Sequence, residues 1–92
     1  MKQHKPTARI DDWAVVPNPN TGSYQELRPG NLLVGRVFGH PRMAEGSFIF
    51  TSPVVSIDSD KRLVETRNTT YILGKVSSEY RAWGREHTGI AA

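Results

Sequence analysis

The chain has 92 residues, of which 37% are hydrophobic and 23% charged, and its formal net charge is +3. This length fits one domain, and the composition is that of a globular rather than a disordered protein. The absence of cysteine excludes disulfides and thiolate metal sites, whereas the mild basic excess permits binding to nucleic acid or to an acidic protein without requiring it.

The first ten residues are polar and carry Lys2, Lys5 and Arg9. We expect residues 1–10 to form a flexible basic arm that either frays or settles on phosphate or an acidic surface. This segment has no apolar stretch typical of a secretory signal, and no apolar run approaches the roughly 20 residues that span a bilayer. The expected location is therefore the cytoplasm, without membrane contact.

Residues 11–86 are predicted to form a single antiparallel β domain, and residues 87–92 a disordered tail. The first strand begins at Asp11, with Trp13 at one end of the core. A dense cluster of turn formers follows from Pro17 to Ser23. Pro29-Gly30 then fits the centre of a type II turn, because glycine accepts the positive φ that this turn requires.

Short segments rich in β-branched and aromatic residues occupy the stretch from Leu32 to Leu73, with turn formers between them. They predict successive hairpins with strands at 32–38, 47–52, 54–57, 63–66 and 71–73. The fold class is therefore mainly β: a small antiparallel β-meander or a partly closed barrel, with a short C-terminal helix.

Three positions in these strands predict local irregularities. Gly35 indicates a bulge or bend, and Pro53 a bend or an edge, since proline cannot donate to the ladder. Asn68-Thr69 is a candidate hairpin tip, because asparagine tolerates the left-handed conformation. We assign four aromatic residues to the core, since a small domain needs large apolar side chains there: Phe38, Phe48, Phe50 and Tyr71.

The helix is predicted over Ser77 to Arg85. Ser77 or Ser78 provides the N-cap. Tyr80 and Trp83 are three residues apart and share one helix face, so we expect them to close one end of the sheet or barrel.

Catalytic and metal-binding patterns are not found in the sequence. No serine lies in a Gly-x-Ser-x-Gly elbow, and no glycine-rich phosphate loop is present. His4, His40 and His87 lack metal-ligand spacing, and Asp58-Ser59-Asp60 lacks the glycine and glutamate of a calcium loop. We therefore predict a non-enzymatic protein that needs no cofactor or metal.

Basic side chains near the long loop, the hairpin tip and the helix are the candidate binding residues. Arginine suits this function because its guanidinium grips phosphate or carboxylate through two hydrogen bonds. An ordinary mixed surface is the alternative, because acidic residues are interleaved among them. The candidates for partner or nucleic-acid contact are Arg36, His40, Arg42, Arg67, Lys75, Arg81 and Arg85.

A pattern of strands and turns covers residues 32–85. It comprises Gly35-Arg36-Val37-Phe38-Gly39-His40-Pro41-Arg42, Gly46, Thr51-Ser52, Val54-Val55-Ser56-Ile57, Val64-Glu65-Thr66-Arg67, Tyr71-Ile72-Leu73-Gly74 and Trp83. In this pattern the chain resembles a group of small β-proteins of phages, prophages and mobile elements. The resemblance implies no active-site residue. It implies an inhibitor or adaptor that binds a host complex, anti-CRISPR proteins being prominent in that class.

The first functional hypothesis is accordingly a non-enzymatic phage-type inhibitor acting in the host cytoplasm. It would bind a host nucleoprotein complex, such as a CRISPR–Cas surveillance complex, through a basic surface that contacts Cas protein, guide RNA or both. One alternative is a free-standing RNA- or DNA-binding barrel comparable to SH3-like or OB-type domains. Another is an accessory phage protein with an unknown partner. A small enzyme is the least supported alternative.

Overall fold

The computed structural model describes residues 5–87, which form five strands and one helix. The strands are β1 (Thr7–Val16), β2 (Leu32–Phe38), β3 (Ser47–Asp58), β4 (Leu63–Thr66) and β5 (Thr70–Leu73), and the helix is α1 (Ser78–His87). The predicted class, mainly β with a short C-terminal helix, is confirmed. Residues 1–4 of the predicted arm and 88–92 of the predicted tail lie outside the described residues.

The strands form a closed ring in chain order, with β5 returning to β1. Each consecutive pair is antiparallel, whereas β1 and β5 are parallel, from Thr7 beside Thr70 to Ile10 beside Leu73. The parallel pair follows from the strand number, because the first and fifth strands of a meander run in the same direction. The strands differ widely in length, so the ring is not a regular barrel.

The prediction of a flexible arm over residues 1–10 is wrong from Thr7 onward, because β1 begins there. Hydrogen bonds from the distant β5 region hold this segment: Thr70 N donates to Pro6 O at 2.9 Å, and Gly74 N donates to Ile10 O at 2.9 Å. Lys5 is also held, since its Nζ lies 2.9 Å from Glu65 Oε2. This hydrogen bond from lysine lowers the pKa of the Glu65 carboxyl.

Gly35 lies opposite a bulge in β1, as its position in a strand predicted. Asp11 pairs with Arg36 and Ala14 with Val34, so two β1 residues lie opposite the single glycine. A Cβ at Gly35 would lie 2.7 Å from the Asp11 carbonyl oxygen, which is closer than packing allows. The bulge therefore requires glycine here.

Pro53 marks the place where β3 changes its pairing partner. Residues before it pair with β2, and residues from Val54 onward pair with β4. The two short predicted segments around Pro53 belong to one long strand, and the register is irregular on both sides of the proline.

Two predicted turns differ in outcome. Gly30 has a φ of +97°, as the Pro29-Gly30 turn requires. Asn68, by contrast, is not among the positive-φ residues in the described part of the chain. The hairpin tip is instead stabilised by the Thr66 hydroxyl, which accepts hydrogen bonds from the N–H groups of Asn68 and Thr69 at 3.3 and 3.2 Å.

The core fills the inside of the ring with mostly aliphatic side chains. Its buried members are Ala8, Ile10, Ala14, Val15, Val16, Leu33, Val34, Val37, Val54, Val64, Tyr71, Leu73 and Tyr80. Tyr71 is in the core as predicted, and Phe38 is only partly buried.

Helix α1 packs beside Trp13 through the predicted face. The Tyr80 and Trp83 rings stack with centroids 5.5 Å apart, and the Tyr80 ring lies 5.7 Å from that of Trp13. Ser77 is the N-cap, since its hydroxyl accepts a hydrogen bond from Tyr80 N at 3.3 Å. Within residues 5–87, no helix has the length and apolar character needed to cross a bilayer.

Candidate nucleic-acid interface

The outer face of β2 and β3 exposes two large aromatic side chains. Phe48 and Phe50 are 55% and 54% exposed, so the prediction that they belong to the core is wrong. The alternation along β3 was correct, but the inward positions are occupied by Ile49 and Thr51. Thr51 is accommodated because its hydroxyl accepts a hydrogen bond from Leu33 N at 3.1 Å and donates one to Ser52 O at 2.7 Å.

Phe48 and Phe50 form an aromatic pair on this face. Their ring centroids are 5.8 Å apart, and their planes meet at 85°. Both side chains project from the same side of β3, because side chains two residues apart along a strand share a face. The pair therefore presents more than half of each side chain to solvent.

Arg36 lies next to this pair, directly opposite Phe48 in the β2–β3 register. Its Nη1 donates a hydrogen bond to Gly46 O at 3.2 Å, which fixes the guanidinium against the β2–β3 loop. The nearest carboxylate oxygen, Oδ2 of Asp12, lies 3.9 Å from Nε, and both side chains are more than half exposed. Such a long, exposed ion pair is weak, so Arg36 remains available to an anion.

A second arginine–aromatic contact extends the face onto β1. The Arg9 guanidinium carbon lies 5.0 Å from the centre of the Phe38 ring, which is cation–π distance. Arg9 also pairs with Asp11, at 3.0 Å. Sequence reasoning missed this residue because it assigned Arg9 to the flexible arm.

A polar cleft of about 210 Å³ adjoins Phe50. Its polar lining includes Arg42, Ser52 and Asn68, and none of its lining residues in the described part of the chain is aspartate or glutamate. Asn68 Nδ2 donates to the Ser52 hydroxyl at 3.2 Å, which links β3 to the hairpin tip. An exposed arginine in a cleft without carboxylates favours an anionic ligand.

His40 has a structural role behind this cleft. It is 9% exposed, and both ring nitrogens have partners. Nδ1 accepts a hydrogen bond from Arg42 N at 3.0 Å, so a neutral ring carries its proton on Nε2, 3.1 Å from the Thr69 hydroxyl. His40 therefore holds the loop that carries Arg42 and is not itself available to a ligand.

The remaining predicted residues do not all gather at this face. Arg67 is exposed beside Asn68 at the hairpin tip, whereas Lys75 is exposed after β5. Arg81 and Arg85 lie on α1 and line a different cleft. The structure thus separates the seven candidates into a group around β3 and a group on the helix, with Lys75 in neither.

Among the residues that the structure describes, no three histidine or acidic side chains come close enough to hold a metal ion. Comparison with protein-family models, with curated proteins and with solved structures finds no match to this chain. The resemblance to small phage proteins therefore stays a prediction, and the function is argued from the site itself.

Proposed function

We propose that the protein binds single-stranded nucleic acid, without catalysis, on the outer face of β2 and β3. In this proposal Phe48 and Phe50 stack on bases, and Arg36 and Arg42 contact phosphates. The observation that carries it is the exposure of two phenylalanines on one strand face beside an arginine. Aromatic platforms next to arginines are a common means of binding single strands without sequence preference.

The geometry suits two separate stacking contacts. Positions two residues apart along a strand are about 6.6 Å apart, and each exposed ring offers a surface to one base. The two rings are nearly perpendicular, so one base cannot lie flat on both. Stacking on each ring is expected to contribute about 1–3 kcal/mol of binding free energy.

The phosphate contacts would come from the flanks of the aromatic pair. Arg36 lies beside Phe48, and Arg42 lines the polar cleft beside Phe50. A strand crossing the pair would therefore meet Arg36 near Phe48 and Arg42 near Phe50, whereas Asp12 and Glu79 line the other cleft that both rings border. Binding of this kind weakens as salt concentration rises, because phosphate contacts release counterions.

An inhibitor of a host nucleoprotein complex is the second proposal, and the same phenylalanines favour it. Exposed aromatic side chains also suit protein interfaces. The resemblance suggests a CRISPR–Cas surveillance complex as the target. In such a complex, the outer face of β2 and β3 would contact guide RNA or a Cas subunit. Either proposal places the protein in a compartment with nucleic acid, which agrees with the expected cytoplasmic location.

The test is fluorescence anisotropy with labelled oligo(dT) and oligo(U) of about 15 nucleotides, close to the upper site size of small single-strand binders. We expect salt-sensitive binding that weakens about 30-fold or more in Phe48→Ala/Phe50→Ala, because two stacking contacts are lost. In Arg36→Ala/Arg42→Ala, the slope of log K against log salt should fall by about 1.4.

The matched control is Val55→Ala/Ile72→Ala, which removes two other exposed apolar side chains, 56% and 40% exposed. Its affinity should equal that of the wild type, and Phe48→Ala/Phe50→Ala should unfold at nearly the wild-type denaturant concentration. Failure to bind either oligonucleotide at about 50 mM salt would contradict the proposal. Recovery of a host defence complex that survives nuclease treatment would instead favour the inhibitor through protein contact.

A further inference from the structure

A second cleft, of about 500 Å³, lies beside α1 and shares no residue with the face just described. Its apolar wall includes Trp13, Leu27 and Val76, together with Trp83 from the helix. This volume is within the range of sites that hold a specific ligand. The phenol of Tyr80 fixes one wall, since it donates a 2.5 Å hydrogen bond to Gln25 O in the loop before β2.

The rim of this cleft is basic. Arg81 and Arg85 are four residues apart on α1, share one face and are exposed. No carboxylate within residues 5–87 lies at ion-pair distance from either. Arg62 completes the rim, where its Nη2 donates to Gly74 O at 2.9 Å.

The acidic residue in the lining does not neutralise this charge. Glu26 is paired with Arg28, whose Nη2 lies 2.5 Å from Oε1. Three arginines therefore face an apolar cleft without a free carboxylate in the described lining. This arrangement complements a ligand that is both apolar and negatively charged.

The aromatic residues of the cleft argue against a nucleobase as that ligand. Trp83 stacks on Tyr80 at 5.5 Å and on His87 at 4.9 Å, with interplanar angles of 12° and 15°. Tyr80 and His87 are seven residues apart along the helix, about 10.5 Å, so they cover opposite faces of the indole. Tyr24 also packs against Trp83, with ring centroids 6.1 Å apart and planes at 71°. Three aromatic side chains therefore already contact the indole, and the part of Trp83 that lines the cleft suits an aliphatic group better than a stacked base.

We infer that this cleft binds an acidic segment of a partner protein. The segment inserts one large aliphatic side chain against Trp13, Leu27 and Val76, and its carboxylates pair with Arg81 and Arg85. Arginine forms paired, charge-assisted hydrogen bonds with carboxylates, so two arginines one helical turn apart fit two acidic residues of a peptide. This inference does not depend on nucleic-acid binding by β2 and β3.

The experiment selects short randomised peptides displayed on phage against the wild-type protein, with counter-selection on Arg81→Glu/Arg85→Glu. We expect enriched peptides to combine a leucine, isoleucine or methionine with at least two acidic residues. Enriched peptides are then synthesised and titrated while intrinsic tryptophan fluorescence is recorded. Trp13 and Trp83 are the chain's two tryptophans and both line the cleft, so the signal reports occupancy there.

Charge reversal of Arg81 and Arg85 should weaken peptide binding about 30-fold or more. Arg81→Gln/Arg85→Gln should weaken it less, which guards against misfolding of the reversed variant. The matched control, Arg67→Glu/Lys75→Glu, makes the same change in net charge at two exposed residues that do not line the cleft and should leave affinity unchanged.

The inference would be overturned by no enrichment, by enrichment of peptides without acidic residues, or by equal affinity in the charge-reversed variant. Displacement of the peptide by oligo(dT) in Phe48→Ala/Phe50→Ala would also overturn it, because the cleft would then bind nucleic acid. Retained peptide binding in that variant, with oligonucleotide binding lost, separates this inference from the proposed function.

Discussion

At the residue scale, two glycines have opposite environments and show where a side chain can be added. The position of a Cβ at Gly35 is blocked by the Asp11 carbonyl oxygen at 2.7 Å and by Ile10 Cγ1 at 2.9 Å. At Gly84, inside α1, a Cβ meets no atom of the described residues within 4 Å, apart from the backbone of the helix itself. The same chemical change should therefore have opposite effects at the two sites.

Gly35→Ala should lower the free energy of unfolding by about 1–3 kcal/mol, because the backbone of the bulge must move to admit the methyl group. Gly84→Ala should raise it by about 0.5–1 kcal/mol, because alanine loses less conformational entropy in a helix. Urea denaturation of both variants measures these changes. Equal stability of the two variants would show that the bulge geometry does not constrain position 35.

The residue scale also shows a limit of sequence reasoning. Gly35 could be assigned to a bulge from its place in a strand, and Ser77 to a helix cap from its position before the helix. His40 could not be separated from the arginines, because its two hydrogen-bond partners are Arg42, two residues on, and Thr69, 29 residues away. Such a distant partner leaves no local pattern in the sequence.

At the element scale, α1 depends on its first turn for stability, since a helix of 10 residues is too short to persist alone. Ser77 accepts from Tyr80 N through its side chain and from Arg81 N through its carbonyl, at 3.3 and 2.9 Å. Tyr80 then packs into the core. The cap therefore also stabilises the helix that forms one wall of the second cleft.

Ser77→Ala should lower the free energy of unfolding by about 1 kcal/mol through loss of the cap. Ser78→Ala is the matched control, because Ser78 is the first helical residue and is exposed, and it should be nearly neutral. Chemical denaturation followed by tryptophan fluorescence measures both. A larger loss in Ser78→Ala than in Ser77→Ala would contradict the assignment of the cap.

The strands themselves were predictable to different extents. Predicted and observed bounds agree for β2 and β4, where turn formers flank the apolar runs. The early start of β1 could not be predicted, because its parallel partner β5 lies some sixty residues further along the chain. The alternation of side chains along β3 was also predictable, but the identity of the buried face was not. Phe48 and Phe50 alternate with Ile49 and Thr51, and this pattern would be the same if the phenylalanines were the buried pair.

At the scale of the whole molecule, ionisation of the tyrosines links stability to alkaline pH. Burial raises the pKa of Tyr80 to about 12, with a further contribution from the charge of Glu26. Burial also raises the pKa of Tyr71, and burial together with the hydrogen bond to Glu79 raises that of Tyr24. All three tyrosines of the chain therefore favour the protonated phenol when folded.

The unfolded chain should lose its phenol protons near pH 10, before the folded protein does. Between about pH 10 and 12 the unfolded state therefore binds fewer protons, so the free energy of unfolding falls as pH rises. The contribution of Tyr80 is fully present below about pH 10, and about 2–3 kcal/mol of it is lost by about pH 12.

Urea denaturation at a series of pH values measures this loss. Tyr80→Phe should be less stable at neutral pH, because Gln25 O loses its hydrogen-bond donor. Its stability should nevertheless fall less steeply above about pH 10 than that of the wild type. If the free energy of unfolding fell equally steeply with pH in the wild type and in Tyr80→Phe, the Tyr80 phenol would have the same pKa in the folded and unfolded states.

The parallel pairing of β1 with β5 also constrains the order in which the strands can pair during synthesis and folding. β1 is the first strand to be synthesised, but one of its two hydrogen-bonding edges has no partner until Thr70 to Leu73 have left the ribosome. Successive hairpins between neighbouring strands can assemble earlier, since they join segments close in sequence. We therefore expect the hairpins to form before the ring closes, because direct pairing of β1 with β5 would close the longest loop of any strand pair and carry the largest entropic cost.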